Sequence, residues 1–235
     1  MAGWFIYCLA PHVIALALGS GSPWPRRFLG GVARICGADV RIVGEPVAPH
    51  TLLLSNHVSW LDVFVLAGAT GCAFVSKAEM ADTRIVKWFA DQNATLYVRR
   101  SDRHAVGDQA SQVAAALRNR DQPLAIFPEG TIGTDGRLLP FRPPLLSAVV
   151  PPPPNVTVRP VALDYGAVFP ELGWAPGEHG IANAVRLLGR RGRIPVAVRL
   201  LDPLAATANR KALAKQAHDS IAAALAPSGI VPAAL

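Results

Sequence analysis

The sequence predicts an α/β fold, in which a mixed sheet is covered by helices and an apolar helical segment comes first. Short aliphatic or β-branched runs bounded by Gly, Pro and Asn alternate with stretches of helix length, which is the order of an α/β protein. The 235 residues are 51% hydrophobic and only 17% charged, a composition that excludes a disordered chain. A chain of this length is typically one domain with a sizeable core.

The first 38 residues are predicted to be an apolar helical membrane anchor. Residues 2–18 carry no charged side chain, although Pro11 and His12 interrupt the run and about 20 apolar residues are needed to span a bilayer. No Lys or Arg precedes Arg26, which argues against a cleaved signal peptide. Aromatic and basic residues typical of a membrane interface lie in or just after the run: Trp4, Tyr7, Trp24, Arg26 and Arg27. The alternative is a core helix of a soluble domain.

Residues 39–235 are predicted to form the second part of the chain, a sheet covered by helices. A second apolar helix at about 25–37 leads into it. Strands are predicted at 40–44, 51–56, 72–77, 94–100, 123–131 (running into a loop), 155–163 and 193–201. Helices are predicted from Ser59, near 80–91, at 104–119 and at about 204–226. Apolar residues recur every four positions in the last helix, so one face is expected to pack on the core.

Residues 56–62, NHVSWLD, combine groups that can deprotonate a hydroxyl. The S-x-x-D spacing predicts Ser59 as the N-cap of a helix and Asp62 in its first turn. His57 then lies just before the helix, where Asp62 can accept from one imidazole nitrogen and leave the other as a base. His57 and Asp62 are therefore the candidate catalytic pair, unless Asp62 is only a helix cap.

Two further stretches are candidate substrate-binding segments. FPEGT at 127–131 ends an apolar strand with a carboxylate, a glycine and a hydroxyl, at Glu129, Gly130 and Thr131. Residues 97–100 close another strand with two guanidinium groups, which can hold a phosphate through paired hydrogen bonds. A plain turn and a solvated strand end are the alternatives. No metal site is predicted, because the three cysteines form no C-x-x-C pair and the other histidines lack partners at ligand spacing.

Four blocks in this order resemble the glycerolipid acyltransferase family, whose best-known members are 1-acyl-sn-glycerol-3-phosphate acyltransferases. They are NHVSWLD, TLYVRR, FPEGT and VRPVAL, which lie between about residues 51 and 163, and the first contains the H-x-x-x-x-D signature of that family. The resemblance implies an α/β domain on a membrane surface. It also implies that His57 is the general base on the acceptor hydroxyl, that Asp62 orients it, and that the hydroxyl attacks the acyl thioester directly.

The resemblance further implies which residues position the acceptor headgroup: Arg100, Glu129, Gly130, Thr131 and, after the third block, Arg142. Because a carboxylate does not bind phosphate, Glu129 is expected to hold a hydroxyl or brace an arginine. The second block departs from the G-x-x-F-I-x-R pattern of the family at Ala94, Tyr97 and Arg99. The family spacing nevertheless selects Arg100 rather than its neighbour as the inward-pointing guanidinium.

The function implied by the resemblance is a membrane-associated O-acyltransferase at the cytoplasmic face of the inner or plasma membrane. It would move a fatty acyl chain from acyl-CoA or acyl carrier protein to lysophosphatidic acid, giving phosphatidic acid. The thioester is then a co-substrate, and no cofactor is expected. The altered second block leaves another lyso-lipid, such as lyso-ornithine lipid, as an alternative acceptor.

A function from another class is a non-catalytic, lipid-binding peripheral protein that uses the apolar N-terminus and the basic residues 189–193 as an anchor. The net charge of +7 suits the anionic lipids of a membrane. Nucleic acid is not an expected partner, because the basic residues are dispersed and no nucleic-acid-binding module is recognisable.

Overall fold

A mixed sheet forms the centre of the molecule. The structure is a computed structural model that describes residues 1–78, 82–98, 106–132, 137–143, 146, 150–175, 177–230 and 232. Within these ranges the sheet has seven strands: β1 (Ala38–Val43), β2 (Thr51–Ser55), β3 (Ala73–Lys77), β4 (Leu96–Val98), β5 (Leu124–Ile126), β6 (Thr157–Asp164) and β7 (Ile194–Leu200). Their spatial order is β1-β7-β6-β2-β5-β3-β4. All neighbours are parallel except β6 and β7, so the predicted mixed α/β sheet is confirmed.

Helices flank the sheet, as predicted. In the described part of the chain they are α1 (Ala2–Ala17), α2 (Trp24–Ile35), α3 (Leu61–Thr70), α4 (Arg84–Gln92), α5 (Val106–Asn119), α6 (Phe169–Leu172), α7 (Gly180–Leu188) and α8 (Arg210–Leu225). The sequence analysis did not predict α6 and α7. Both are short, and they lie in a stretch with several Gly and Pro residues.

The central strands are the most buried part of the fold. Every residue of β2 is buried, and so are seven of the eight residues of β6. Strands enclosed on both faces consist of near-continuous aliphatic residues, which explains why the sequence predicted these two strands well. Helix α3 packs against α2 where Gly30 meets Gly68, since a Cβ atom built on Gly68 would lie 2.4 Å from the Gly30 Cα atom. This close approach fixes α3, which carries Asp62.

The N-terminal helices pack on the rest of the molecule. The Trp4 Nε1–H donates to the Phe28 carbonyl oxygen at 3.1 Å, and Phe5 contacts both Trp88 and Phe89 of α4. The membrane anchor predicted for residues 1–38 is not supported, because no helix among the described residues is both long and apolar enough to cross a membrane.

Arg26 is exposed, and its side chain forms hydrogen bonds with the end of α3. Its guanidinium donates to the carbonyl oxygens of Gly68 (3.2 Å) and Ala69 (2.5 Å) in the last turn of α3. A cation at a helix C-terminus satisfies free carbonyl groups and interacts favourably with the helix dipole. Arg26 therefore stabilises the end of α3.

Candidate active site

Polar side chains meet at one edge of the sheet, just beyond the carboxyl ends of three neighbouring strands. His57 follows β2, Glu129 follows β5 and Tyr165 follows β6. These three strands are parallel, so their carboxyl ends lie at the same edge. Open α/β sheets bind their ligands at such an edge.

The structure brings His57 and Asp62 together. The Nδ1 atom of His57 lies 2.9 Å from Oδ2 of Asp62, and the carboxylate is fully buried. Because a carboxylate only accepts hydrogen bonds, Nδ1 carries the proton and Nε2 holds the lone pair. Nε2 has no hydrogen-bond partner among the described residues, and the side chain is 17% exposed. The ring stacks on Phe127 at a centroid distance of 4.1 Å, which fixes its plane.

The loop before α3 wraps around the Asp62 carboxylate. Oδ2 accepts the backbone N–H groups of Val58 at 2.6 Å and Ser59 at 2.9 Å, in addition to the imidazole. Hydrogen bonds to a carboxylate are strong because one partner is charged. They hold His57 outside the helix, which is the position that lets its imidazole reach Asp62.

The predicted N-cap at Ser59 is wrong by one position. Helix α3 begins at Leu61, so Trp60 occupies the N-cap and makes no side-chain cap hydrogen bond. Asp62 lies in the first turn, as predicted. Its carboxylate accepts the N–H group of Ser59, which is the bond that the S-x-x-D capping pattern predicts.

Tyr165 is a second partner of Asp62 that the sequence analysis missed. Its hydroxyl donates to Oδ1 at 2.6 Å, and the side chain is completely buried. Burial, together with the negative charge of Asp62, raises the pKa of Tyr165 well above its usual value, so the hydroxyl keeps its proton and stays a donor. The feature of the sequence that could have revealed Tyr165 is its position directly after a strand with aliphatic residues.

Glu129 has partners different from those expected. Its Oε1 atom accepts the backbone N–H of His57 at 2.7 Å, and Oε2 accepts the N–H of Leu139 at 3.2 Å. The side chain is only 2% exposed. Burial raises the pKa of Glu129 to about 8, the Asp62 charge adds to the rise, and the two N–H donors oppose it. Glu129 thus joins the backbone at His57 to the segment at Leu139, and its expected contact with a hydroxyl or an arginine stays a prediction.

The remaining predicted substrate-binding residues surround the turn after β5. Gly130 has φ = 73°, a left-handed conformation that glycine adopts without strain, and its N–H donates to the Phe127 carbonyl at 3.1 Å. Thr131 is exposed. Arg142 is also exposed, and its backbone N–H donates to the carbonyl of Pro128 at 2.9 Å, which keeps it beside this turn. Arg100 lies outside the described residues.

Asn56, the residue after β2, joins this strand to β6, a role that the sequence did not indicate. Its Nδ2 atom donates to the Leu163 carbonyl at 3.1 Å, and its Oδ1 atom accepts the Leu163 N–H at 2.8 Å. The residue preceding His57 is thereby fixed to β6. Within the described ranges no three His, Cys, Asp or Glu side chains converge as a metal site would require.

Comparisons with known proteins agree on one family. The family model described as Acyltransferase matches residues 39–164, more than half of the chain. A lyso-ornithine lipid O-acyltransferase of Brucella abortus is 33% identical over 223 residues, which cover 86% of this chain and 83% of that protein. A 1-acyl-sn-glycerol-3-phosphate acyltransferase of Neisseria gonorrhoeae is 27% identical over 124 residues, covering 51% of this chain and 48% of that protein.

A solved structure has the same fold. The crystal structure of the 1-acyl-sn-glycerophosphate acyltransferase from Thermotoga maritima superposes with a TM-score of 0.58. The match covers 86% of this chain and 81% of that one, at 19% sequence identity. At that identity the likeness describes the fold alone.

Proposed function

The chain belongs to the acyltransferase family, and we propose that it transfers a fatty acyl group from a thioester to the hydroxyl of lyso-ornithine lipid. The observation that carries the catalytic part is the His57–Asp62 pair: no described residue binds Nε2 of His57, which lies at the edge where open α/β sheets bind ligands. The relative from Brucella abortus supports the choice of acceptor, because it matches 86% of this chain. The 1-acyl-sn-glycerol-3-phosphate acyltransferase of Neisseria gonorrhoeae, whose name gives the acceptor expected from the sequence, matches 51% of this chain.

In the proposed reaction, Nε2 of His57 takes the proton of the acceptor hydroxyl while its oxygen attacks the thioester carbonyl carbon. The carbon–sulfur bond then breaks, and the imidazolium returns the proton to the departing thiolate. Asp62 holds the ring in the required tautomer and stabilises the imidazolium charge. Tyr165 and the two backbone N–H donors hold Asp62 in turn. Besides the acceptor and these residues, the proposed reaction uses only the thioester of acyl-CoA or acyl carrier protein.

The turn after β5 is the proposed headgroup site. Arg142 is exposed beside this turn, and its guanidinium suits the carboxylate of an ornithine headgroup, which it can bind through two hydrogen bonds. Thr131 is exposed on the turn and can bind a polar group. Arg100 stays a prediction for the same site.

We also propose that the protein works on the cytoplasmic face of a membrane, where its thioester donors are found. Helix α1 exposes large apolar side chains, at Ile6, Val13, Ile14 and Leu16, by 53–65%, and Leu18, directly after the helix, is 77% exposed. A helix with such a face can lie in the membrane interface without crossing it. The net charge of +7 favours an anionic surface.

Thiol release from acyl-CoA and acyl carrier protein tests the proposed function. The purified protein is assayed in detergent micelles with lyso-ornithine lipid, with lysophosphatidic acid, or without acceptor. We expect release that depends on lyso-ornithine lipid and is lost in His57→Ala. The matched control is His50→Ala, at the opposite end of β2, which should keep the activity.

Other outcomes would contradict parts of the proposal. Release with lysophosphatidic acid alone would refute the acceptor but not the reaction class. Release without any acceptor would indicate a thioesterase. Lipid binding without release from either donor would favour a non-catalytic peripheral protein.

A further inference from the structure

Helix α7 turns three large apolar side chains toward solvent, unlike an ordinary surface helix. Its exposed residues include Ile181, Val185 and Leu188, which are 76%, 65% and 58% exposed. Their spacing of four and three residues places them on one face of the helix. Surface helices of globular proteins normally turn such a stripe toward the core.

The polar groups of α7 are instead bonded to the protein. Asn183 is fully buried, and its Nδ2 atom donates to the Gly173 carbonyl at 3.2 Å and to Glu178 at 2.9 Å. The Arg186 guanidinium pairs with the same Glu178 carboxylate at 2.8 Å and also donates to the Gly173 carbonyl. These contacts fix the orientation of the helix, so its apolar face stays outward.

Helix α7 is bonded to the segment that links His57 to Asp62. The Trp60 indole N–H donates to Oδ1 of Asn183 at 3.0 Å, and Trp60 is the residue just before α3. The segment after α7 lies at the same edge of the sheet as the active site, because β7 is antiparallel to β6 and begins where β6 ends. The exposed stripe is thus on the outer face of a helix that borders the proposed reaction centre.

Positive charge adjoins the stripe. Arg191 and Arg193 follow α7, and both are exposed. Neither forms an ion pair with a carboxylate in the described part of the chain. The Ile194 N–H donates to the Gly37 carbonyl at 2.9 Å, so this basic loop abuts the end of α2. The loop therefore lies beside α2, which packs against α1, the helix that we place at the membrane.

We propose that the α7 surface, formed by Ile181, Val185, Leu188, Arg191 and Arg193, rests on an anionic lipid bilayer and holds the active-site edge against it. The apolar stripe enters the interface while the two arginines meet acidic headgroups, the combination that drives interfacial binding. This inference rests on the proposed function in one respect, namely that the acceptor is a lipid held in that bilayer.

A second copy of the chain fits the α7 surface less well than an anionic bilayer does. Three aliphatic side chains offer far less than the roughly 800 Å² that each partner contributes to a stable interface. A two-fold contact through the same surface would also bring the basic loops of both copies together, and like charges repel. An anionic bilayer has the opposite charge and needs no matching shape.

Vesicle binding tests the proposal. The purified full chain is mixed with phosphatidylcholine vesicles, with or without phosphatidylglycerol, and the bound fraction is measured by co-sedimentation. Ile181→Asp/Val185→Asp should lower the partition coefficient at least about tenfold on both vesicle types, because charged side chains leave the interface. Arg191→Gln/Arg193→Gln should lower it roughly tenfold on the anionic vesicles alone. The matched control, Ile42→Asp, changes a residue that is 49% exposed near the far end of β1 and should bind normally.

Acyl transfer gives an independent readout. With the acceptor in vesicles, Ile181→Asp/Val185→Asp should lose most of its rate, whereas its rate with acceptor in detergent micelles should equal that of the wild type. A wild type that is inactive in both formats would refute the proposed function, while vesicle binding would still decide the role of α7. Equal vesicle binding by the wild type and the double Asp variant would overturn the inference. So would a wild-type dimer that this variant converts to monomer without a change in vesicle binding.

Discussion

Replacing Glu129 with Gln should remove a pH dependence from the stability of the folded chain. Burial of this carboxyl raises its pKa from 4.5 to about 8. Between these two values the folded state keeps a proton that the unfolded state has released. The free energy of unfolding contributed by Glu129 is thus fully present below pH 4.5 and is lost as the pH rises toward 8.

The size of this effect follows from the pKa shift. One pKa unit corresponds to about 1.4 kcal/mol, so the shift allows up to about 5 kcal/mol of stability to disappear across the interval. Glutamine does not titrate, and its amide oxygen can accept from only one of the two donors, the N–H groups of His57 and Leu139. The other donor stays unpaired, which costs about 1–3 kcal/mol at every pH. The wild type should therefore be the more stable protein at pH 5 and lose that advantage by pH 8.

Urea unfolding followed by tryptophan fluorescence measures the difference. Wild type, Glu129→Gln and the control Glu45→Gln, at an exposed position, are compared at half-unit steps between pH 5 and 8. The control should follow the wild-type curve. Parallel curves for the wild type and Glu129→Gln would refute the reasoning, because they would mean that Glu129 binds no extra proton on folding.

Three other substitutions test the supports of the site. Asp62→Asn should lower kcat about a thousandfold in the acyl-transfer assay, because the imidazole loses the partner that fixes its tautomer. Tyr165→Phe should lower kcat about tenfold with little change in KM, and urea unfolding should show a loss of about 1.5–3 kcal/mol for the missing bond to a charged group. Gly68→Ala should lose about 1–3 kcal/mol in urea, since its methyl group meets Gly30, whereas Gly21→Ala, with nothing within 4 Å, should not.

Local features of the fold could be predicted from the sequence. The strands at 51–56 and 155–163 are predicted within one or two residues of Thr51–Ser55 and Thr157–Asp164, because aliphatic residues dominate strands buried on both faces. Short elements whose apolar residues point outward could not be predicted from the sequence, and α7 is one of them. Its stripe faces solvent, so nothing in the local pattern shows that its polar residues are bonded inside.

The site was predictable only where its residues are neighbours in sequence. His57 and Asp62 are five residues apart, and capping rules were enough to bring them together. Tyr165 reaches Asp62 only because β6 lies beside β2, and strand order is a long-range property. Glu129 was recognised as unusual, but its actual partners are backbone N–H groups, which no side-chain motif reveals.

The pairing of β2 with β6 also bears on how the chain folds during synthesis. The bonds from Asn56 to Leu163 and from Tyr165 to Asp62 close loops of 107 and 103 residues. Contacts of such high sequence separation form slowly, since the entropy of loop closure is lost before they contribute. A nascent chain that has emerged as far as β5 still exposes one edge of β2, a strand that is fully buried in the folded protein, to other chains in the cell. We expect the contacts around Asp62 to be completed late, when about two thirds of the polypeptide has left the ribosome.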